Sequence, residues 1–422
     1  MKKIPFRFLF IYFLLTTAPW FWFYLIPEVS YLTEYYGKMD EWIVTVFNKY
    51  LLHIKDTLNI DGGGSGDTSY GWAQFYAYLL LSMIGCIVWT LLDRKRQSYN
   101  TLNFWLRNVV RYYIAMIAFS YGIVKLFSLQ MPFPNLSQLA TPLGDFLPMR
   151  LSWMFIGYST SYQMFSGVME TIVGIFLLNR KTVTLGSLLG ISVFTNVFML
   201  NLSYDVPVKL FSMQLVMYCI FLTGRDWKRL LNFFLLNKLA EPTTYSIDLI
   251  KKWQRIGRVV CKIGFIILFV AIPFNESWSR YKDESKRGEL KPIGIGIYNI
   301  KRLIKNKDTM SISKDDEMAW KDFIFDKGGI GSVNTLDTLF RQRYRRGYFT
   351  YQPDTVKETI LFKKYATDST SLFEMKYKII NEKSIGLWGK VRNDSLYFEL
   401  LRSDRHFQLT ERQFHWISES NR

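Results

Sequence analysis

"NLSYDVPVKLFS", residues 201–212, separates two apolar runs, yet it carries Asp205, Pro207 and Lys209 close together. If the flanking runs are core helices of a soluble domain, this is an ordinary surface loop. If they cross a membrane, it is a charged turn at the membrane boundary. The rest of the chain selects the second reading. Crossing about 30 Å of hydrocarbon takes roughly 20 helical residues, and apolar stretches of that order recur as far as Phe274 and then stop.

Seven spans are expected: Pro5–Ile26, Gly71–Leu92, Arg107–Phe127, Tyr162–Leu178, Val183–Leu202, Val206–Thr223 and Gly257–Phe274. Aromatic residues make up 17% of the chain, and many Trp and Tyr sit at span ends, where amphipathic rings favour the interface. Basic residues fall in alternate loops: Arg94–Lys95–Arg96, Arg180–Lys181 and the stretch Arg225 to Arg258. Because flanking Lys and Arg are retained in the cytoplasm, the amino terminus with Lys2, Lys3 and Arg7 is expected inside, and everything beyond Phe274 outside. The localisation expected is a bacterial inner (cytoplasmic) membrane with a periplasmic C-terminal domain. A basic start before an apolar run also fits a signal peptide. The run continues through Trp20, Trp22 and Tyr24 without a small-x-small cleavage site, so an uncleaved span is preferred.

The formal charge of +18 does not call for nucleic acid, because much of the excess lies in loops that would face anionic lipid. The bilayer is the expected partner. Cys86, Cys219 and Cys261 all fall within expected spans and form no Cys-x-x-Cys pair, which offers the outer domain no disulfide framework.

Five segments follow. Residues 1–92 hold two spans around an outer loop, 27–70, that ends in "DGGGSGD". That run lacks the Gly-Lys-Ser/Thr ending of a phosphate loop and reads as a flexible linker. Residues 93–229 hold four spans, 230–255 read as amphipathic helix on the inner surface, and 256–275 form the seventh span. Residues 276–422 change character: "GIGIYNI", "YFTYQ", "ETILFKKY", "LFEMKYKII", "KSIGLWGKV", "DSLYFELLR" and "HFQLTERQ" alternate apolar and polar residues at roughly ten-residue spacing. The fold class is therefore a mainly α membrane bundle plus a soluble antiparallel β barrel or sandwich. A closed barrel could hold an apolar ligand in its mouth, as lipocalin-type barrels do, although a filled core is the plainer reading. His406, His415 and Glu411 lack a third close ligand beside them on one strand face, so no metal site is assigned.

Ionisable residues within spans are expensive and mark candidate sites. Lys125, Glu170, Asp205 and Lys209 are such residues, and Tyr121, Gln130, Asp145, Tyr162, Asn201 and Tyr204 add polar groups at similar outer depth. Either lysine alone could snorkel to the headgroups. Glu170, near the middle of its span, cannot easily do so and should face the bundle. Asp205 and Lys209 are four residues apart and can pair only if Pro207 occupies the first turn of the sixth helix. "VKLFSLQM" at 124–131 nearly recurs as "VKLFSMQL" at 208–215, a likeness read as chance recurrence rather than as the inverted repeat of a transporter. The segment 128–167, broken by Pro132, Pro134, Pro142 and Pro148, is too apolar for a free loop and suggests a re-entrant or cap-like segment lining an outward-facing pocket.

"YGIVKLFSLQMP", "GDFLPMRLSWMFIGYS", "SGVMETIVGIFLLNRKTVTLG" and "LNLSYDVPVKLFS", within Arg107–Arg225, resemble the DoxX-like integral membrane proteins, in a long form such as Bacteroidota encode. The closing "RQFHWISESNR" looks like the end of the outer β domain of those longer proteins. The resemblance implies a four-span core, and in some members a role in quinone-linked sulfur oxidation. Catalytic residues remain unknown. His53, His406 and His415 all lie outside the expected spans, so the chain offers no intramembrane His pair for haem, while a quinone could still be held by Tyr, Lys and Glu. Three functions stand open: binding of a quinone-like or lipophilic molecule in the outward-facing pocket as part of a redox system; a non-enzymatic envelope scaffold that recruits a membrane or periplasmic protein through residues 285–422; and a transporter.

Overall fold

The computed structural model describes residues 3–20, 27–241, 251–306, 308–310, 320–338, 340–412 and 414–419. It contains two compact units. One joins the chain up to Pro132 with Phe155–Ser279, and the other joins Phe133–Met154 with Arg280–Arg422.

The first unit is helical: α1 (Lys3–Thr17), α2 (Ser30–Phe47), α3 (Ser69–Leu92), α4 (Asn100–Leu126), α7 (Thr160–Leu178), α8 (Val183–Ser203), α9 (Lys209–Thr223), α10 (Trp227–Phe234) and α11 (Lys252–Ile266). The short α5 (Leu136–Leu139) and α6 (Pro148–Tyr158) precede α7, and a π-turn at Ile267–Ala271 joins α11 to α12 (Ile272–Lys286). Five of these stretches are long and apolar enough to cross a membrane: α3, α4, α7, α8 and the continuous Lys252–Lys286.

Of the seven spans expected, five are found among the described residues. Helices α1 and α9 have 15 residues each, about 22 Å at 1.5 Å per residue. The first stops where Ala18 takes a left-handed φ of 36° before Pro19, and residues 21–26 of the expected first span lie outside the described residues. The other starts at Lys209 and not at Pro207, because Asp205 takes a left-handed φ of 49° that reverses the chain after α8. Of the expected surface helix at 230–255, α10 presents exposed Trp227, Phe233 and Phe234, and residues 242–250 lie outside the described residues.

Helix α4 is the centre of this unit, burying Leu106, Val110, Ile114, Ala118, Phe119 and Ile123. It packs most extensively on α7. The two backbones touch at glycines: a Cβ on Gly167 would lie 2.7 Å from the Gly122 carbonyl oxygen. Small residues permit such an approach, and tight packing takes over where lipid offers no hydrophobic drive.

The second unit is an antiparallel barrel. Its strands are β1 (Gly296–Lys305), β2 (Asp308–Met310), β3 (Asp322–Asp326), β4 (Ile330–Asn334), β5 (Arg346–Asp354), β6 (Thr359–Lys363), β7 (Phe373–Asn381), β8 (Ser384–Val391) and β9 (Asp394–Arg402). From β3 to β9 each strand pairs with the next, and β1 pairs with both β3 and β9, closing an eight-stranded ring to which β2 is added as a short hairpin arm. Closure leaves few free edges. The interior is packed with rings: Phe398 stacks 5.2 Å from Trp320, Phe325 lies 4.9 Å from Tyr351, and Phe362 lies 4.7 Å from Phe373. "HFQLTERQ" is not a strand. It forms a helical turn, α13 (Gln408–Glu411), held where the His406 ring meets Glu411 at 2.8 Å.

Of the expected re-entrant or cap-like segment, Phe133–Met154 belongs to the barrel's unit. Asn135 caps α5 in a capping box with Gln138. The Leu136 amide donates to Asp326 Oδ2 at 2.8 Å, and Ser137 and Ser332 share a hydrogen bond of 2.6 Å. Phe146 packs 5.0 Å from Tyr344. Ile324, Ser332 and Arg346, which alternate with the interior positions of β3–β5, are thus buried as well.

Candidate functional site

The buried ion pair of the helical unit follows from the α4–α7 contact. Gly122 and Gly167 bring the backbones together, and one turn further on Lys125 of α4 meets Glu170 of α7. Lys125 Nζ lies 2.5 Å from Glu170 Oε1, with side-chain exposures of 8% and 2%. The second carboxylate oxygen, Oε2, is buried with no hydrogen-bond partner. Tyr121, one turn before Lys125, is close enough for the Glu170 charge to act on its hydroxyl, while its ring leans towards Phe211 of α9 at 6.3 Å. Here a cation, a half-satisfied carboxylate and a phenol share one helix contact. That set can hold a proton or accept a polar head.

The other expected site residues divide among different places. Asp205 pairs with Lys209 at 2.8 Å although Pro207 lies before the helix and not in its first turn, and the carboxylate is mostly exposed. Asn201 donates to Ser212 at 3.1 Å and ties α8 to α9. Tyr162 and Tyr204 are exposed. Gln130 buries its Oε1 without a partner. Asp145 lies in the barrel's unit, 3.4 Å from Arg345, and is therefore not grouped with the helical residues. Its neighbour Tyr344 has its hydroxyl pKa raised by burial, partly offset by Arg150.

Several functional-looking contacts escaped the sequence reading. Gln163, fully buried, donates to the Met131 carbonyl at 2.7 Å and accepts from its amide at 3.0 Å. Asp40 accepts from Tyr70, Gln74 and Tyr78. Arg7 reaches Tyr99, Thr90 and the Asp93 carbonyl. Burial of a polar residue against a distant partner leaves no periodic mark, although an Arg or Asp inside an apolar run is itself a signal.

The glycine-rich segment is not a free linker. Gly66 and Asp67 amides donate to the Pro207 carbonyl, and Asp67 accepts from the Lys209 and Leu210 amides at 2.8 and 3.0 Å. Asp67 thereby caps α9, where a carboxylate also complements the helix dipole. Asp67→Ala is expected to cost about 1 kcal/mol by loss of the cap, with Asp67→Asn retaining most of it. Asp205→Ala should leave the melting temperature near wild type, because exposed pairs contribute little. Thermal unfolding in detergent distinguishes the two.

No group of three or more His, Cys, Asp or Glu suited to a metal is found among the described residues. No family model matches the chain, and no solved structure matches it. An uncharacterized protein of Bacillus subtilis (strain 168), YwoB, is 29% identical over 84 residues, which is 20% of this chain and 54% of that protein. The chain thus spans about half of that relative's length.

Proposed function

We propose that the chain is a multi-pass membrane protein of the DoxX-like type in the cell envelope, in which the helical unit anchors the barrel and the barrel recruits a partner protein. The observation that carries this reading is the insert Phe133–Met154. It leaves the chain between two helices of membrane length and joins the barrel's compact unit, so the chain passes between the units three times. Supporting it, the barrel interior is filled with rings, while the tail after α13 exposes Phe414, Trp416 and Ile417, Trp416 to 92%. Exposed apolar groups clustered in this way suit protein contact.

Photocrosslinkers placed at 409, 415 and 418 of the full chain in cells should capture one protein species. Phe414→Ala, Trp416→Ala and Ile417→Ala together should abolish the capture with the barrel still folded. Adducts to lipid alone, or capture unchanged in the triple variant, would remove this reading.

The buried Glu170 Oε2 favours a second reading, in which a quinone-like or other lipophilic molecule binds at Tyr121, Lys125 and Glu170. This reading uses three of the ten residues expected from sequence. A co-purifying quinone lost in Glu170→Gln would support it; identical lipid extracts from wild type and variant would not.

A further inference from the structure

Helix α10 starts where two helices of membrane length end. The Thr184 hydroxyl, in the first turn of α8, donates to Asp226, the residue before Trp227. Thr223, the last residue of α9, donates to Ser187 of α8 at 2.9 Å. Arg107 of α4 donates to the Phe221 and Leu222 carbonyls at 2.7 and 3.0 Å, its guanidinium 4.4 Å from the Phe221 ring centre. The α9–α10 junction is thereby held beside the first two turns of α8. From there α10 runs on with none of its residues buried. It closes where the Lys238 amide donates back to the Asn232 carbonyl at 2.8 Å across a left-handed Asn237, φ 48°, a common helix ending.

Trp227, Leu230, Leu231 and Phe234 recur at the spacing of one helix face, and Lys228, Arg229 and Asn232 fall on the other. Trp227 and Phe234 are 61% and 67% exposed, and Leu235 and Leu239 continue the apolar surface beyond the helix. Left in water, that face would gain nothing from the hydrophobic effect. Its place narrows what covers it: at the end of α8 a spanning chain meets the boundary of hydrocarbon and headgroups, where aromatic rings insert and cations on the opposite face reach phosphate. We propose that α10 lies in the headgroup layer with its Trp227–Phe234 face lowered into the acyl boundary, and that Lys228 and Arg229 make this seat selective for anionic phospholipid. Basic residues beside a membrane surface draw such lipids. The seat requires the multi-pass arrangement proposed above.

The test uses the full chain with Cys261→Ser, which removes the exposed thiol and leaves the buried Cys86 and Cys219, in nanodiscs of phosphatidylcholine with or without phosphatidylglycerol. Nitroxide labels on single introduced cysteines are read by collision with oxygen, which concentrates in hydrocarbon, and with a water-soluble nickel chelate. Labels at 227, 231 and 234 should favour oxygen several-fold more than labels at 228, 229 and 232. Phosphatidylglycerol should deepen 231 and 234, and Lys228→Gln with Arg229→Gln should abolish that response. A label at Ile84, 52% exposed near the middle of α3, reads the membrane itself. If Ile84 favours nickel, the multi-pass reading falls and the seat with it. If Ile84 favours oxygen while every α10 label favours nickel, the seat alone is overturned. Dipolar broadening between copies at 231 and 234, or a depth indifferent to phosphatidylglycerol and to the glutamine pair, overturns it as well.

Discussion

Glu170→Ala is expected to destabilise the helical unit by about 3–5 kcal/mol, the usual cost of breaking a buried ion pair from one side. The carboxylate meets Lys125 at 2.5 Å, so its removal leaves an ammonium among the α4–α7 contacts with nothing to neutralise it. Lys125→Ala should be as harmful, because the remaining carboxylate would already have one unsatisfied oxygen. The double change Lys125→Met with Glu170→Leu should recover most of the loss, since apolar residues of similar volume replace such pairs at little cost. A double-mutant cycle on denaturant unfolding in detergent measures the coupling. If Glu170→Ala is neutral, the carboxylate is not sustaining the lysine.

Arg346→Ala should have a comparable effect on the barrel. The side chain is 2% exposed, donates to Ser332 Oγ at 2.7 Å and pairs with Asp322. Ser332 in turn shares its hydroxyl with Ser137 of the insert. Truncation removes a long buried stem, strands the Asp322 charge and loosens the serine pair, a loss on the order of 3–5 kcal/mol. Arg346→Lys should fall between, since an ammonium keeps the charge but not the fork. Hydrogen exchange in the full chain reads this directly: amides of β3, β4 and β5 should lose protection first, while those of β7 and β8 hold. Uniform loss across all strands would mean the arginine supports barrel closure and not the insert.

What the sequence revealed and what it hid have physical causes. Asp205 and Lys209 could be paired from their spacing, because four residues is a local distance in any compact turn. Lys125 and Glu170 could each be flagged for rarity inside apolar runs, but not joined, since 45 residues separate them. The insert misled because its apolar residues were referred to the membrane, whereas they cover a barrel wall. The same fact explains two of the three missed strands. "DFIFD" of β3 and "IGSVN" of β4 are buried on both faces, so neither shows the alternation by which β1 and β5–β9 were recognised. The Asp67 cap was hidden by its glycine-rich setting, 142 residues from the helix it serves.

The capping box at Asn135 now takes on a different meaning. Leu136 and Asp326 are 190 residues apart, so at ordinary synthesis rates the insert exists for about 10–40 s before its β3–β5 partners are made. During that interval a four-residue helix with apolar neighbours has no surface to lie on. Its own box, closed between Asn135 and Gln138, only biases the chain toward this turn, since a helix so short does not hold by itself, and a chain stalled before β3 would leave its apolar residues uncovered.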